Sequence, residues 1–290
     1  MKNKLIVILG PTATGKSNFA VRLAKKIKHA EIISADSRQV YKGLDIGSGK
    51  ITKKEMRGVP HHLLDVANPK KVFSVSEYQK LANKAIADII ARGNTPILVG
   101  GTGLYIDAVV YGTVFPEVPP NKVLRKKLES KTVQSLFKIL QKLDSARAKT
   151  IDAQNPVRLI RAIEIATALG KVPAFVQKEQ YDTEFIGLTL PDDILKKKIH
   201  TRLLARMKIG MVREVANLHK KGLSWKRLES FGLEYRSIAQ YLQKNPPSAR
   251  SGGGGSKKEM LVELEKAIWQ YTKRQMTWFK RNKKVIWRQS

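Results

Sequence analysis

The sequence GPTATGKS at residues 10–17 combines residue types that bind phosphate groups. It lies between the apolar run LIVIL and an amphipathic helical pattern, and it matches G-x-x-x-x-G-K-[ST] at Gly10, Gly15, Lys16 and Ser17. In such a loop the backbone N–H groups and the helix N-terminus point at one anion, the lysine adds a positive charge, and the serine hydroxyl reaches a bound Mg²⁺. This context disfavours a chance glycine-rich turn. The loop is therefore predicted to bind a diphosphate or a triphosphate.

Two further polar residues follow apolar runs that are typical of buried strands. Asp36 ends the run EIISAD, and Thr102 follows the run TPILVGG. In an open parallel sheet the carboxyl ends of the strands line one crevice, so both residues are expected beside the phosphate loop. Asp36 is either a turn cap or a carboxylate that acts as a general base or binds Mg²⁺ through water. Thr102 is either an ordinary turn hydroxyl or a group that projects into the same crevice.

The elements that position these residues alternate between short apolar runs and helical patterns, which predicts an α/β fold with a P-loop-type parallel sheet flanked by helices. From about Asn121 to Lys171 only helical periodicity is present, and a strand pattern returns at residues 184–190. We expect an α/β core domain of residues 1–118 and 182–290, with basic C-terminal helices, and a helical insertion domain of residues 119–181. The stretch SGGGGS at residues 251–256 has the composition of a flexible linker.

The net charge of the chain limits which classes of binding partner are expected. Lys and Arg number 55 against 24 Asp and Glu, a formal net charge of +31, which is typical of a nucleic-acid binder. A membrane-surface protein fits less well because we find no long apolar stretch, signal peptide or lipidation motif. The absence of Cys rules out disulfides and thiolate zinc sites, and the five His lack metal-ligand spacing. We expect a cytoplasmic protein that does not bind membranes.

Seven ordered blocks resemble the bacterial tRNA dimethylallyltransferases: GPTATGKS, ISADSRQVYKGLDIGSGK, PHHLLD, LVGGTGLYI, NPVRLIRAIEI, GLEYR and KRQMTWFKR. The resemblance extends from about residue 4 to residue 287. It implies that the loop holds the diphosphate of dimethylallyl diphosphate, a leaving group. It also implies that the product is N6-dimethylallyladenosine at position 37, immediately 3′ of the tRNA anticodon. Mg²⁺ near Ser17, with Asp36 as a second ligand through water, is the expected cofactor.

The resemblance also assigns roles to individual residues. It implies that Asp36 accepts the N6 proton and that Thr102 orients this region. Residues expected to hold the donor are Gly10, Thr12, Ala13, Thr14, Gly15, Lys16, Ser17 and Arg206. Residues expected to contact the tRNA anticodon stem-loop are Asp36, Ser37, Arg38, Gln39, Arg125, Val157, Arg158, Arg161, Gly232, Tyr235, Arg236, Lys273, Arg274, Gln275, Thr277, Trp278 and Lys280. The protein is expected to act as a monomer.

Some of these residues have a plainer interpretation. Arg158 and Arg161 lie three residues apart on one helical face, which is often simply solvated. Aromatic residues at helical spacing are more often core than base-stacking platforms, so Trp269 and Trp278 are expected in the core, with the neighbouring basic residues touching phosphate.

Three other functions remain open at this stage. A nucleoside or nucleotide kinase also combines a phosphate loop with a helical lid, but it has no need for a charge of +31. An adenylate isopentenyltransferase is closer in chemistry to the tRNA enzymes, but this function would not explain the basic C-terminal part of the chain. A noncatalytic RNA-binding protein does not need an intact phosphate loop.

Overall fold

The structure is a computed structural model that describes residues 2–173, 178–245 and 256–290. The chain divides into two compact units, Met1–Gly112 with Glu179–Ser290, and Thr113–Lys178. Most of the glycine-rich stretch at residues 251–256 lies outside the described residues, apart from Ser256, which begins a helix.

The first unit is built on a parallel sheet in the order β3-β2-β4-β1-β5-β6. Its strands are β1 (Lys4–Leu9), β2 (Ala30–Ser34), β3 (His61–His62), β4 (Thr95–Gly100), β5 (Asp182–Thr189) and β6 (Ile286–Gln289). β1 is central, and Leu9 pairs with Gly100 on one side and with Gly187 on the other. The loops after β1, β2 and β4 therefore leave the same edge of the sheet.

Helices account for most of the remaining described chain. They are α1 (Lys16–Lys26), α2 (Lys53–Met56), α3 (Val75–Ala91), α4 (Gly103–Val110), α5 (Lys122–Glu129), α6 (Val133–Leu143), α7 (Ser145–Thr150), α8 (Pro156–Leu169), α9 (Asp192–Lys208), α10 (Met211–Lys220), α11 (Trp225–Ser230), α12 (Leu233–Lys244) and α13 (Lys257–Phe279). The α/β fold with a parallel sheet flanked by helices, predicted from the sequence, is confirmed.

Both faces of the sheet are covered, which explains why the central strands β1 and β4 are largely apolar and buried. Successive residues of β1 alternate between two cores. Leu5 and Val7 face a large core that also contains side chains of α3, α4 and the C-terminal helices. Ile6 and Ile8 face a smaller core, where α1 contributes Ala20, Val21 and Ala24.

Two of the strands were not predicted from the sequence. β3 has only two residues, and both are half-buried. β6 is short and mostly exposed, and it pairs with β5 from Ile286 to Gln289. Both lie at the edges of the sheet, where few side chains are buried and the alternation that marks a strand is weak.

The helices of the second unit begin at side-chain caps. Asn121, Thr132, Asp144 and Asn155 each accept a hydrogen bond from the first turn of the helix that follows. Leu128, Leu136, Leu140, Leu159 and Ile163 form the core of this unit. The described part of the chain contains no helix long and apolar enough to cross a membrane.

Candidate active site

The phosphate loop leaves β1 and turns into α1 through unusual backbone conformations. Gly10 and Gly15 have φ of 148° and 78°, and Ala13 also has a positive φ, of 66°. A Cβ at residue 10 would lie 2.4 Å from the carbonyl oxygen of Leu188, so only glycine fits there. Because Gly15 has no side chain to cap α1, the N–H groups of the first turn keep their capacity to bind an anion.

Lys16 lies inside this loop. Its Nζ donates a hydrogen bond to the carbonyl oxygen of Pro11 at 2.7 Å. Burial, followed by the positive charge of Arg202, lowers the pKa of Lys16 from 10.5 to about 7, while Asp36 acts in the opposite direction. A bound diphosphate would add negative charge and favour the protonated amine. The lysine is thus poised to become fully charged when an anion binds.

Asp36 follows β2 at the carboxyl edge of the sheet. Its Oδ1 accepts hydrogen bonds from the backbone N–H groups of Arg38 at 2.8 Å and Gln39 at 3.2 Å. The carboxylate therefore caps its own turn, and that turn fixes its direction. Within the described residues, Oδ2 makes no hydrogen bond. One oxygen holds the side chain in place, and the other remains able to accept a proton or bind a metal.

Thr102 ties the turn after β4 to the turn after β2. It is the N-cap residue of α4, yet its side chain makes no bond to that helix. Its Oγ1 instead accepts a hydrogen bond from the backbone N–H of Ser37 at 3.1 Å, and its own N–H donates to the carbonyl oxygen of Ala35 at 3.2 Å. Thr102 holds the chain on both sides of Asp36.

A cavity of ≈ 990 Å³ opens at this edge of the sheet. Its lining includes Thr12, Ala13, Gly15, Lys16 and Ser17 from the phosphate loop, with Asp36 and Gln39 from the turn after β2. Gly10, Thr14 and Thr102 are not among the lining residues. Thr14 is fully buried, and its hydroxyl donates to the carbonyl oxygen of Pro11 at 2.9 Å. These three residues shape the loops from behind the cavity wall.

Arg202 and Arg206 enter the cavity wall from one face of α9, because they lie four residues apart. Arg206 Nη1 donates to the carbonyl oxygen of Gly47 at 2.9 Å and pairs with Glu234 at 3.1 Å. Within the described residues, Arg202 has neither a hydrogen bond nor an ion pair. Desolvation, and then the charge of Arg206, lowers its pKa. Arg206 was predicted from the sequence as a donor-binding residue and Arg202 was not, although their i, i+4 spacing places both on one face of the helix.

Tyr235 does not occupy the surface expected for a tRNA contact. Its side chain is only 1% exposed, and its hydroxyl donates to Oε1 of Glu214 at 2.9 Å. The Glu214 carboxylate also accepts hydrogen bonds from the N–H groups of Asp45, Ile46 and Gly47. The structure thus corrects the expectation: Tyr235 supports a loop of the cavity wall from beneath.

The C-terminal helix α13 has one face exposed to solvent and another packed against the core. Lys273, Arg274, Thr277 and Lys280 are exposed. Trp269 and Trp278 pack against the main core, as predicted, and Trp278 Nε1 donates to Oδ2 of Asp107 at 2.8 Å. Gln275 is buried, its amide bonds to Thr12 and Gly101, and it lines the cavity beside the phosphate loop.

The remaining residues expected at tRNA vary in exposure. Gly232 has a positive φ of 74°, and Arg236 is exposed. Ser37, Arg38 and Gln39 are half-buried in the turn after Asp36.

In the second unit the expected tRNA residues fall into two groups. Arg125 binds both oxygens of the buried Glu164, each at 2.7 Å, and Arg161 lies 3.4 Å from the same carboxylate. Val157 is 75% exposed, and Arg158 is exposed, 3.7 Å from Asp152. Arg125 and Arg161 therefore stabilise the helices around one carboxylate, whereas Arg158 keeps most of its charge in solvent.

The cavity also offers oxygen atoms suited to Mg²⁺. Within the described chain, no group of three or more His, Asp or Glu side chains gathers as a metal cage. Mg²⁺ does not need one, because it retains waters and binds one or two carboxylates together with phosphate oxygens. The Ser17 hydroxyl and the Asp36 carboxylate line the same cavity. Both are hard oxygen donors of the kind that would hold Mg²⁺.

Comparison with known proteins identifies the family. The family model described as IPP transferase matches residues 39–282. The chain is 44% identical over 288 residues to tRNA dimethylallyltransferase 2 of Treponema denticola, covering 98% of this chain and 93% of the relative. It is 42% identical over 296 residues to tRNA dimethylallyltransferase 1 of Syntrophus aciditrophicus, covering 99% and 93%.

A solved structure shares the same fold. The crystal structure of the full-length tRNA isopentenylpyrophosphate transferase of Bacillus halodurans matches with a TM-score of 0.73 and 37% sequence identity. The match covers 99% of this chain and 90% of that chain. With the family model matching more than half of the sequence, these findings show that the chain belongs to the IPP transferase family.

Proposed function

We propose that this protein is a tRNA dimethylallyltransferase, which transfers the dimethylallyl group of dimethylallyl diphosphate to N6 of adenine 37 in tRNA. The observation that carries the proposal is that the phosphate loop and the Asp36 carboxylate line one cavity in a chain of this family. The transfer requires a site that holds the departing diphosphate and a base that accepts the proton of the attacking N6.

In the proposed step, the adenine N6 attacks C1 of the allyl group while the bond from C1 to the diphosphate oxygen breaks. The electron pair of that bond leaves with the diphosphate. Lys16, the N–H groups of the loop and Arg202 supply positive charge where this negative charge develops. The N6 proton passes to Asp36, whose Oδ1 is anchored by two backbone N–H groups. Thr102 keeps the turn in place and does not touch the reactants.

Mg²⁺ bound by Ser17, with Asp36 acting through water, would neutralise part of the diphosphate charge. The residues of the loop bind and orient the diphosphate with or without this contribution. Arg206 is proposed to act indirectly, by fixing the carbonyl oxygen of Gly47 in the cavity wall.

For the tRNA, we propose that residues 119–181 form a domain that contacts the anticodon arm, together with the basic surface of α13. The exposed side chains Arg158, Lys273, Arg274 and Lys280 are suited to phosphate contacts. The target base must leave its stack to reach Asp36, as in other enzymes that act on a base. We propose that the protein acts as a monomer in the cytoplasm, where tRNA is available.

The test is incubation of the protein with labelled dimethylallyl diphosphate and, separately, with γ-labelled ATP, each offered unmodified tRNA or AMP. The proposal predicts label in tRNA from the prenyl donor alone. Label in AMP from the prenyl donor would indicate an adenylate isopentenyltransferase. Transfer of phosphate from ATP to AMP would indicate a kinase.

A further inference from the structure

Gln275 connects two loops of the active site that are distant in sequence. Its Oε1 accepts a hydrogen bond from the backbone N–H of Thr12 at 2.9 Å, and its Nε2 donates to the carbonyl oxygen of Gly101 at 2.7 Å. The residue is 6% exposed. One planar amide therefore bridges the phosphate loop and the turn after β4 at the wall of the cavity, with both of its ends hydrogen-bonded.

The turn after β4 is shaped to receive α13. A Cβ at Gly101 would lie 2.4 Å from Gln275 Nε2, and a Cβ at Gly103 would lie 2.3 Å from the indole of Trp278. Trp278 also donates a hydrogen bond to Asp107 in α4. The two glycines thus admit two side chains from one face of α13, and the helix is held against the turn at both points.

Hydrogen bonds linked by short stretches of backbone then connect Gln275 to the proposed base. Gln275 holds Gly101, and the next residue, Thr102, accepts a hydrogen bond from Ser37 N–H and donates one to the carbonyl oxygen of Ala35. Asp36 lies between Ala35 and Ser37. The position of this carboxylate relative to the phosphate loop is therefore fixed through the Gln275 amide.

We propose that Gln275 is a positioning residue that sets the spacing between the phosphate loop and the turn carrying Asp36. The inference rests on the proposed function, since the spacing matters because the donor carbon and the base must meet there. Loss of alignment of about 1 Å is enough to slow a transfer about 100-fold. Gln275 acts through Thr12 and Gly101 and needs no contact with either substrate.

The test uses Gln275→Met, which keeps the side-chain length and removes both hydrogen bonds. Gln270→Met is the matched control, because Gln270 is exposed on the same helix. Gly101→Ala disrupts the same bridge at its other end, since the added Cβ would displace the Gln275 amide. Each variant is assayed for kcat with saturating tRNA and dimethylallyl diphosphate, tRNA affinity, affinity for inorganic pyrophosphate, and urea unfolding.

We expect Gln275→Met to lower kcat about 10-fold to 100-fold and to weaken pyrophosphate binding about fivefold, with tRNA affinity within about threefold of the parent. Gly101→Ala should show the same pattern. The double variant should lose less than the product of the two single losses, because both break one bridge. Gln270→Met should match the parent protein in every assay.

A Gln275→Met protein with the parent kcat and pyrophosphate affinity would overturn the proposal, whatever its unfolding midpoint. Independent losses that multiply in the double variant would also overturn it. The pyrophosphate measurement needs no prenyl transfer. A parent protein that transfers nothing to tRNA would therefore refute the proposed function, while a difference in pyrophosphate affinity would still support the role of Gln275 in the loop.

Discussion

The hydroxyl oxygen of Thr102 accepts a hydrogen bond from the backbone N–H of Ser37 at 3.1 Å, across two loops that are 65 residues apart in sequence. Threonine at a helix N-cap usually bonds to its own helix, but here that bond is absent. The Thr102 side chain instead stabilises the turn that contains Asp36.

Replacement of Thr102 by Val should therefore lower kcat about 10-fold, because the Ser37 N–H loses its acceptor and the turn shifts. Thr102→Ser retains the hydroxyl and should keep most of the activity. Steady-state kinetics with saturating substrates distinguish the two variants. A loss of activity in Thr102→Ser, with activity retained in Thr102→Val, would show that the methyl group, rather than the hydrogen bond, matters.

Asp36→Asn should lower the single-turnover rate by about 10²-fold to 10⁴-fold, since an amide cannot accept the N6 proton. The amide oxygen can still accept from the N–H groups of Arg38 and Gln39, so the fold and tRNA affinity should be retained. Rapid-quench measurement with enzyme in excess over tRNA is the appropriate assay. A rate close to that of the parent protein would leave Asp36 with its turn-capping role alone.

Lys16 should make donor binding depend on pH. Its pKa is lowered from 10.5 to about 7 in the folded protein, so at pH 8.5 the free enzyme binds pyrophosphate with uptake of a proton by this amine. Calorimetry in two buffers with different ionisation enthalpies should show about one proton more for the parent than for Lys16→Met. Equal proton uptake in the two proteins would contradict this assignment.

Lys16→Ala should abolish use of the donor and leave tRNA affinity within a few-fold of the parent.

The same shift has a defined sign for stability. Between pH 7 and 10.5 the unfolded chain binds more protons at Lys16 than the folded one, so stability rises with pH in this window. The cost of burying the charged amine is fully present below about pH 7. Urea unfolding at pH 6.5 should accordingly show a more stable Lys16→Met protein.

The two arginines of α9 should separate into binding and structural roles. Arg202→Gln should weaken pyrophosphate binding about 10-fold, because a charge-assisted contact is lost, and should change stability little. Arg206→Gln removes the bonds to Gly47 and Glu234, so its main effect should be a lower urea midpoint. If Arg206→Gln instead weakened pyrophosphate binding with unchanged stability, the assignment of the two roles would be reversed.

Arg158 allows a clean test of the second unit. Arg158→Ala should reduce the slope of log affinity for tRNA against log salt concentration by about 1, as expected for one phosphate contact. Arg161→Ala also disturbs Glu164 and Val118, so its effect should include lost stability. An unchanged slope for Arg158→Ala would place this residue on a merely solvated face.

Local patterns made the central part of the site predictable from sequence. The glycines and Lys16 of the phosphate loop occur within eight residues, and Asp36 and Thr102 each follow a strong apolar run. A parallel sheet then brings such strand ends to one edge by geometry alone. The fold class followed from the same alternation of strands and helices.

Other parts of the site depend on contacts between distant segments. The hydrogen bond from Thr12 to Gln275 joins residues separated by 263 positions, and nothing in the local pattern of α13 indicates it. Tyr235 occurs in a motif expected at tRNA, but burial places it under a loop. Which of Arg202 and Arg206 is left unpaired for an anion depends on Glu234, a carboxylate on another helix that pairs with Arg206.

The proposed transfer to adenine 37 is tested most directly by locating the transferred group. Unmodified tRNA is incubated with the protein, labelled dimethylallyl diphosphate and Mg²⁺, and the product is digested and analysed by mass spectrometry. The proposed transfer predicts one dimethylallyl group on N6 of the adenine immediately 3′ of the anticodon, with one diphosphate released per transfer. A labelled group at another nucleotide, or none in tRNA from an enzyme that binds both substrates, would contradict it.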